Sequence, residues 1–413
     1  MRLFTTLADA IKRRRLITRW RREGRRFYFC HLAHPNDRIA AQALSAYFKW
    51  VGVDLEVIEF NPSGQRPELN TSLDDKTIAV IGVNSQLDHS WIGDESFIAL
   101  AARRNIPVIQ WILDHPSLRW PAFENNLDAA NVRYVFVSRF CEQYFRRYAV
   151  PGARTATAIC AFTRLSRADD LSWKAFIARE IHCLIPLNLR RLGGTADELE
   201  VKLRELEPRL AEAVREAIET TRFDLVSPLV SHLERALARR GIEVPDKVMH
   251  VCAALVEDMT HIWRRRRVFE VAARFPVMIQ TDLPPPDLVA KRVATFRSTP
   301  DWTDPKATLE RMKSCRAVLS LSLTNDALHD RVGNAVNAGC VPVVEDNIAH
   351  RRVFKPDKSA LVFRFDDDSL ERCLDLVCHQ PGRAYDIARR STVLRDDPTF
   401  RFSGCDDLLK LAR

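Results

Sequence analysis

The stretch LTNDALHDRVGNAVNAGCVPVVEDN, residues 323–347, decides the fold of this chain. The apolar run AVLSLS (317–322) precedes it, and the stretch itself ends in a second apolar run, CVPVVED (340–346). Small residues at helical spacing lie between the two runs, and Gly339 allows the chain to turn sharply into the second one. A strand, a helix and a strand in this order predict a unit of a parallel sheet.

Similar apolar runs extend this unit in both directions along the chain. Their near-continuous apolar character predicts strands that are buried on both faces, as in parallel sheets. The first half has predicted strands at 27–32, 54–60, 77–83, 107–113 and 133–138. The second half has them at 247–255, 276–282, 293–296, 317–322, 340–346 and 360–365.

The predicted fold class is α/β, with two Rossmann-like domains, a helical insert between them and a basic amino-terminal helix. Residues 163–245 are rich in Leu, Ala, Glu and Arg and contain no convincing strand, which predicts the insert. The predicted domains are an arm at 1–26, a first domain at 27–162, the insert at 163–245 and a second domain at 246–413.

The positive charge of the chain is concentrated in the arm. The net charge is +9, and residues 1–26 hold ten Lys and Arg against Asp9 and Glu23, so only +1 remains for all other residues. A nearly neutral body argues against nucleic acid as a partner. An amphipathic basic helix that includes Trp20 fits an anionic membrane surface. The alternative is a solvated helix that docks on its own protein.

The cysteine pattern and the apolar runs predict the compartment. The ten cysteines include no CxxC pair, which indicates reduced structural thiols and no zinc site. The amino terminus carries charge where a signal peptide needs an apolar stretch, and no run is long enough to span a bilayer. The predicted localisation is cytoplasmic, peripheral at the inner face of the membrane if the arm binds lipid.

Candidate acid–base residues follow two strands of the first half. In open α/β sheets, ligands bind beyond the carboxyl ends of the strands. His34 and Asp37 follow the first predicted strand, and Asp114 and His115 follow the fourth. Histidine titrates near neutral pH, and an oriented aspartate can also accept a proton, so these four are candidate general bases. The alternative for each pair is a turn or a helix cap.

Candidate phosphate-binding residues lie in the opening stretch. Asp326 is a predicted cap of the helix that follows it, and the amino end of a helix offers free N–H groups to a diphosphate. Arg331 adds a permanently charged donor. No G-x-G-x-x-G follows a strand and no P-loop occurs, which argues against dinucleotide and P-loop enzymes. The donor-binding candidates are His329, Asp330, Arg331, Asn334, Asp326, Gly339 and Asn347.

This half of the chain resembles the second domain of family 1-type glycosyltransferases of the GT-B fold, especially the CgeB-like group. The segments that carry the resemblance are AVLSLS, His329-Asp330-Arg331, NAVNAG and CVPVVEDN. The resemblance covers about residues 246–405. It implies a nucleotide-sugar donor on the second domain, an acceptor on the first, no cofactor and no metal ion. Two glutamates common in the superfamily correspond to Asn334 and Asp326 here, which argues against a retaining mechanism.

The predicted function is therefore transfer of a sugar from a nucleotide sugar to a glycan or lipid-linked acceptor. Two alternatives stay open. One is a non-catalytic protein that binds nucleotide sugars or glycans with the same fold. The other is a scaffold recruited to a membrane or polyanion, in which the basic arm is the functional part.

Overall fold

The computed structural model describes residues 7–32, 35–60, 73–84, 86–92, 94–123, 129–148, 153–158, 171–189, 194–281, 293–297, 310–322, 324–397, 400 and 405–412. Within these ranges the chain forms two six-stranded parallel sheets with helices around them. The predicted α/β class with two Rossmann-like domains is confirmed.

The first sheet has the strand order 2-1-3-6-7-8. Its two faces are both buried, since Phe27 and Phe29 enter one apolar core while Tyr28 and Cys30 enter another. This burial explains the continuous apolar runs. The five predicted strands of this half are confirmed. The strands are β1 (Arg26–Leu32), β2 (Asp54–Phe60), β3 (Thr77–Val83), β6 (Val108–Ile112), β7 (Val132–Phe136) and β8 (Thr155–Thr157), with a separate hairpin of β4 (Trp91–Ile92) and β5 (Glu95–Ser96).

The second sheet has the strand order 11-10-9-12-13-14, and one of its strands corrects the sequence analysis. Strand β9 lies between β10 and β12, although it falls inside the predicted helical insert. The second domain therefore begins before the insert and not at residue 246. The run IHCLIP contains His and Pro and is short, so pairing on both sides stabilises it as a strand where its local pattern does not. The strands are β9 (Ile181–Pro186), β10 (Met278–Gln280), β11 (Thr295–Arg297), β12 (Cys315–Ser320), β13 (Val341–Glu345) and β14 (Leu361–Phe363).

The predicted strand at 247–255 is wrong, because these residues open the long helix Asp246–Ala272. Met249, Cys252 and Val256 pack in a helical cluster, and Val268 at the other end of the helix joins the core of the second sheet. A helix buried on several sides has a nearly continuous apolar run, which a buried strand also has.

The helices supply the outer layers of both domains. Four of them, from Ala196 to Ala272, form the helical insert, which is placed between β9 and β10. The helices are Leu7–Arg22, Pro35–Val51, Phe97–Arg103, Trp120–Phe123, Arg139–Tyr148, Trp173–Ile177, Ala196–Arg204, Pro208–Thr221, Leu229–Arg239, Asp246–Ala272, Asp330–Asn337, Ile348–Val353, Ser369–His379, Pro381–Ser391 and Cys405–Leu411, with 3₁₀ turns at Gln86–His89, Pro116–Arg119 and Thr392–Asp396.

The two ends of the chain both pack on the first domain. Leu408 and Leu409 of the last helix enter the core of the first domain, and the Tyr47 hydroxyl donates to Asp406 at 2.7 Å. The predicted amino-terminal helix is present, but Trp20 is 3% exposed and packs edge-on against Phe27 at a ring distance of 5.6 Å. The arm is thus docked, and Trp20 does not face outward. Across the described ranges, no helix is long and apolar enough to cross a membrane.

Candidate functional site

Asp326 connects the two domains. Its carboxylate accepts hydrogen bonds from the backbone N–H groups of Arg139 at 2.8 Å and Phe140 at 3.2 Å, and from the hydroxyl of Ser138. It therefore caps the helix Arg139–Tyr148 of the first domain, and the prediction that it caps the following helix is wrong. The loop after β12 crosses to the other domain before that helix begins. Burial raises the pKa of Asp326.

The helix Asp330–Asn337 begins at the carboxyl edge of the second sheet, as predicted. Its cap is His329, whose Nδ1 accepts from the backbone N–H of Arg331 at 3.3 Å, and the His329 ring also contacts the carboxylate of Asp330. Burial, with the charge of Arg331 nearby, lowers the pKa of His329. Burial also lowers the pKa of Arg331 to about 10, which leaves the guanidinium charged at neutral pH.

Gly339 lies at the opposite end of this helix, which corrects its assignment as a donor-binding residue. Its φ of +67° is the conformation that favours glycine, and it follows the last helical turn. Arg179 donates to the carbonyls of Ala338 and Gly339, and Arg395 donates to that of Asn337. Two buried arginines thus satisfy the carboxyl end of the helix, about 12 Å from its amino end.

Asn334 and Asn347 are both buried, but they differ in position. Asn334 lies one turn after Asp330 on the same helix, so it stays near the amino end. Asn347 caps the helix Ile348–Val353, since its Oδ1 accepts from the N–H of His350 at 2.8 Å. Its Nδ2 donates to the Ser322 hydroxyl at 2.9 Å. The amide of Asn347 therefore organises the strand end.

Three strands of the second sheet end in buried polar residues that the sequence analysis missed. Gln280 closes β10, Ser320 closes β12 and Glu345 closes β13, and each is at most 1% exposed. Both polar side-chain atoms of Gln280, the hydroxyl of Ser320 and Oε2 of Glu345 have no hydrogen-bond partner among the residues that the structure describes, which leave out 282–292 and 323. Such groups are rare and cost about 1–3 kcal/mol each. A polar ligand or ordered water at this edge would satisfy them.

The missed residues carried a readable signal. Each is a polar residue that closes an apolar strand, at the edge where ligands of α/β sheets bind. None of the predicted candidates was the last residue of a strand, so these three residues were not among them.

The surroundings of Glu345 are tightly organised. Its Oε1 accepts from the backbone N–H of Ser322 at 2.9 Å, and its own carbonyl accepts from Nδ1 of His350 at 2.8 Å. Burial lowers the pKa of His350 to about 4, so this imidazole is neutral. Burial raises the pKa of Glu345, and the nearby charge of Arg264 opposes that rise. Arg264 donates to Asn325 at 3.0 Å, which ties the long helix to this edge.

Asp114 lies at the carboxyl edge of the first sheet, as predicted. Its Oδ2 accepts from Arg119 at 2.6 Å and from Nδ2 of Asn84 at 3.1 Å. Oδ1 forms no hydrogen bond with the residues that the structure describes. The side chain is 15% exposed. Asp114 is thus a carboxylate held on one oxygen, with the other available to a ligand.

The other three first-domain candidates have different positions. His115 is buried, its Nδ1 lies 2.7 Å from the Ser117 hydroxyl, and it caps the turn Pro116–Arg119. The cap alternative therefore describes His115, and its role as a base stays a prediction. Asp37 is buried and accepts from Nε2 of Gln86 at 2.7 Å. His34 lies outside the described residues.

A surface cavity of about 600 Å³ opens away from both sheet edges. Its lining mixes acidic and basic residues, among them Glu371, Asp375, Arg372 and Arg383. None of the candidate residues lines it, and its mixed charges define no ligand. We therefore place the candidate site at the facing strand ends.

Residues 264–397 match a protein family described as glycosyl transferase-like. The matched segment contains the three polar strand ends and the helix that His329 caps. The fold and this match indicate the class of protein: a two-domain α/β chain whose second domain is similar to glycosyl transferase-like proteins. The resemblance stated from the sequence is confirmed at that level, and the CgeB-like grouping stays a prediction.

Several solved structures are similar in overall shape. Anabaena HepE, determined in complex with UDP-glucose, is 9% identical, with a TM-score of 0.47 over 94% of this chain and 98% of that chain. Sucrose-phosphate synthase from Thermosynechococcus elongatus is 12% identical, with a TM-score of 0.47 over 94% and 96%. WaaG, a glycosyltransferase involved in lipopolysaccharide biosynthesis, is 11% identical, with a TM-score of 0.44 over 94% and 99%. No curated protein matches the chain.

Proposed function

We propose that this protein transfers a sugar from a nucleotide-sugar donor, bound at the carboxyl edge of the second sheet, to an acceptor bound by the first domain. The observation that carries the proposal is the set of buried polar groups on Gln280, Ser320 and Glu345 that find no partner within the described ranges. A nucleotide sugar offers hydroxyl, amide and ring groups that could pair with them.

The diphosphate of the donor is proposed to bind at the amino end of the helix Asp330–Asn337. The positive end of the helix dipole and the guanidinium of Arg331 both favour an anion there. The same charge would stabilise the nucleoside diphosphate as it departs. Because these groups supply the positive charge, the proposed reaction needs neither a metal ion nor a cofactor.

Asp114 is the proposed general base. Arg119 and Asn84 orient its carboxylate through Oδ2, and Oδ1 is then free to accept the proton of an acceptor hydroxyl. As that proton moves to Oδ1, the acceptor oxygen bonds to the anomeric carbon and the bond from this carbon to the diphosphate breaks. The sugar would then be transferred with inversion.

The role of Arg331 can be tested by donor binding. We expect Arg331→Ala to weaken the binding of the nucleotide sugar selected from a panel by about 2 kcal/mol, or about thirtyfold, since a charged hydrogen bond in a partly dry site is lost. Arg352→Ala is the control because Arg352 is exposed on a neighbouring helix. Isothermal titration calorimetry measures both. Equal affinities of wild type and Arg331→Ala would remove Arg331 from the site.

The role of Asp114 can be tested by turnover. Asp114→Asn keeps the shape of the side chain but loses most of its basicity, so turnover should fall about a hundredfold or more with donor affinity unchanged. Asp368→Asn, a change to an exposed ion pair with Arg372, serves as the control. If Asp114→Asn loses donor affinity and turnover equally, the base assignment is wrong.

A non-catalytic nucleotide-sugar-binding protein is the second candidate. Asp326 favours this candidate. It corresponds to a glutamate of the family that the sequence resembles, but its carboxylate here accepts the hydrogen bonds that cap the helix Arg139–Tyr148. Stabilisation by a nucleotide sugar without its hydrolysis or transfer would support this second function.

A further inference from the structure

The docked amino-terminal helix leaves one strongly basic face uncovered. Leu16, Ile17 and Trp20 pack toward the first domain. On the other side Lys12, Arg14, Arg15 and Arg22 are exposed, and none of them forms an ion pair with the described residues. We call these four the basic face. Four unneutralised cations on one face of a helix repel each other, and an anionic partner would relieve that repulsion.

An exposed tryptophan lies beside this helix. Trp50, near the end of the helix Pro35–Val51, is 55% exposed, and its neighbour Lys49 is exposed as well. Arg21 of the amino-terminal helix donates to the carbonyl of Val51 at 3.0 Å and also to that of Gly52, which places Trp50 next to the basic helix. Tryptophan is enriched where proteins meet the boundary between water and lipid, because one part of the ring is apolar and its N–H is polar.

We infer that the basic face and Trp50 together bind the surface of an anionic lipid bilayer. Of the net charge of +9, residues 1–26 carry +8, so the attraction acts on one end of the first domain. A nucleic acid would be favoured by a broad basic surface, and the remaining chain is nearly neutral. Membrane binding would bring the first domain close to a lipid-linked acceptor. Only this consequence rests on the proposed function.

Deletion of the arm would not isolate the contribution of the basic face to membrane binding. Trp20 is part of the core of the first domain, so removal of residues 1–26 would expose that core. Substitutions on the exposed side avoid this problem. The double variant Arg14→Glu/Arg15→Glu changes the basic face alone, and Trp50→Ala changes the aromatic group alone.

The experiment is co-sedimentation of the full chain with vesicles of phosphatidylcholine and with vesicles that also contain phosphatidylglycerol. We expect binding only to the second kind. The double variant should bind at least about twentyfold more weakly, since each basic residue near an anionic surface contributes about fivefold. Trp50→Ala should bind about tenfold more weakly through the loss of apolar burial. Matched controls are Arg389→Glu/Arg390→Glu and Trp173→Ala, exposed residues of the second domain.

Three results would overturn the inference. These are equal binding to neutral and anionic vesicles, unchanged binding of the double variant, and binding to duplex DNA that exceeds vesicle binding and does not depend on Trp50. Donor affinity is measured on the same variants without vesicles and should equal that of the wild type. Vesicle binding by a chain that binds no nucleotide sugar would refute the proposed function and leave this inference intact. Nucleotide-sugar binding by a chain that does not bind anionic vesicles would refute this inference and leave the proposed function intact.

Discussion

The carboxyl edges of the two sheets differ in how their polar groups are satisfied. At the edge of the first sheet, His115 bonds Ser117, Asp37 bonds Gln86, and Asp114 is held on one oxygen. At the edge of the second sheet, Gln280, Ser320 and Glu345 each keep a buried polar atom that no other described residue pairs with. The two domains share a fold, so this difference is not a requirement of the fold.

The difference separates polar residues that stabilise the structure from those that await a ligand. A satisfied buried group contributes to folding, and its removal leaves its partners unpaired. An unsatisfied group costs stability and is retained where function needs it. Substitutions at the two kinds of position should therefore act in opposite directions on the free energy of unfolding.

The largest effect is expected at Asp326, the satisfied carboxylate between the domains. Asp326→Ala removes the acceptor of two backbone N–H groups and of the Ser138 hydroxyl, so the free energy of unfolding should fall by about 3 kcal/mol. Asp326→Asn keeps one acceptor oxygen and should lose clearly less. Urea unfolding measures both variants. Identical midpoints for Asp326→Ala and wild type would show that the cap contributes nothing.

The second effect concerns pH and the buried His350. Its pKa is about 4 in the folded protein, below the usual value of 6.5, because the ring is buried. As the pH falls from 6.5 toward 4, the unfolded chain takes up a proton here and the folded chain does not, so stability is lost over this window. The loss between pH 7 and pH 5 should be about 2 kcal/mol.

The His350→Gln variant should show a correspondingly smaller loss of stability between these two pH values. His379→Gln is the control because the His379 side chain is 59% exposed. Urea unfolding at both pH values supplies the comparison. A pH dependence that is the same in His350→Gln and wild type would contradict the neutral, buried state of this ring.

The smallest effect on stability, with the opposite sign, is expected at Gln280. Gln280→Leu replaces an unpaired amide by an apolar group of similar size, so the free energy of unfolding should rise by about 1 kcal/mol. Donor affinity should fall about tenfold, since the ligand loses its partner. Thermal unfolding and calorimetric titration measure the two quantities. If Gln280→Leu is less stable than the wild type and binds the donor equally well, Gln280 is a structural residue and the proposed difference between the two edges is wrong.

Much of the fold could be predicted because its signals are local. The five strands of the first half follow from apolar runs, and the helix Ala196–Arg204 starts with a capping box between Thr195 and Glu198, which lie three residues apart. The errors at 181–186 and 247–255 arose where neighbours decide the structure. A short run with His and Pro became a central strand, and an apolar run became a helix packed on several sides.

The candidate site was only partly predictable for the same reason. His329, Asp330 and Arg331 follow from their place at a helix start, and Asp114 follows from its place after a strand. Which oxygen of Asp114 is occupied depends on Asn84, thirty residues away along the chain. That Asp326 caps a helix of the other domain depends on a contact between residues 188 positions apart.

By itself the sequence determined the α/β class, the helix that begins at Asp330 and the concentration of charge in the arm, because periodicity, caps and charge are properties of neighbouring residues. Only the tertiary structure decided that Trp20 is buried while Trp50 is exposed and that Gly339 lies far from the helix start. It also decided that three strand ends keep buried polar atoms for which the described part of the chain offers no partner. Burial and hydrogen-bond partners come from residues distant in the chain, and no local pattern records them.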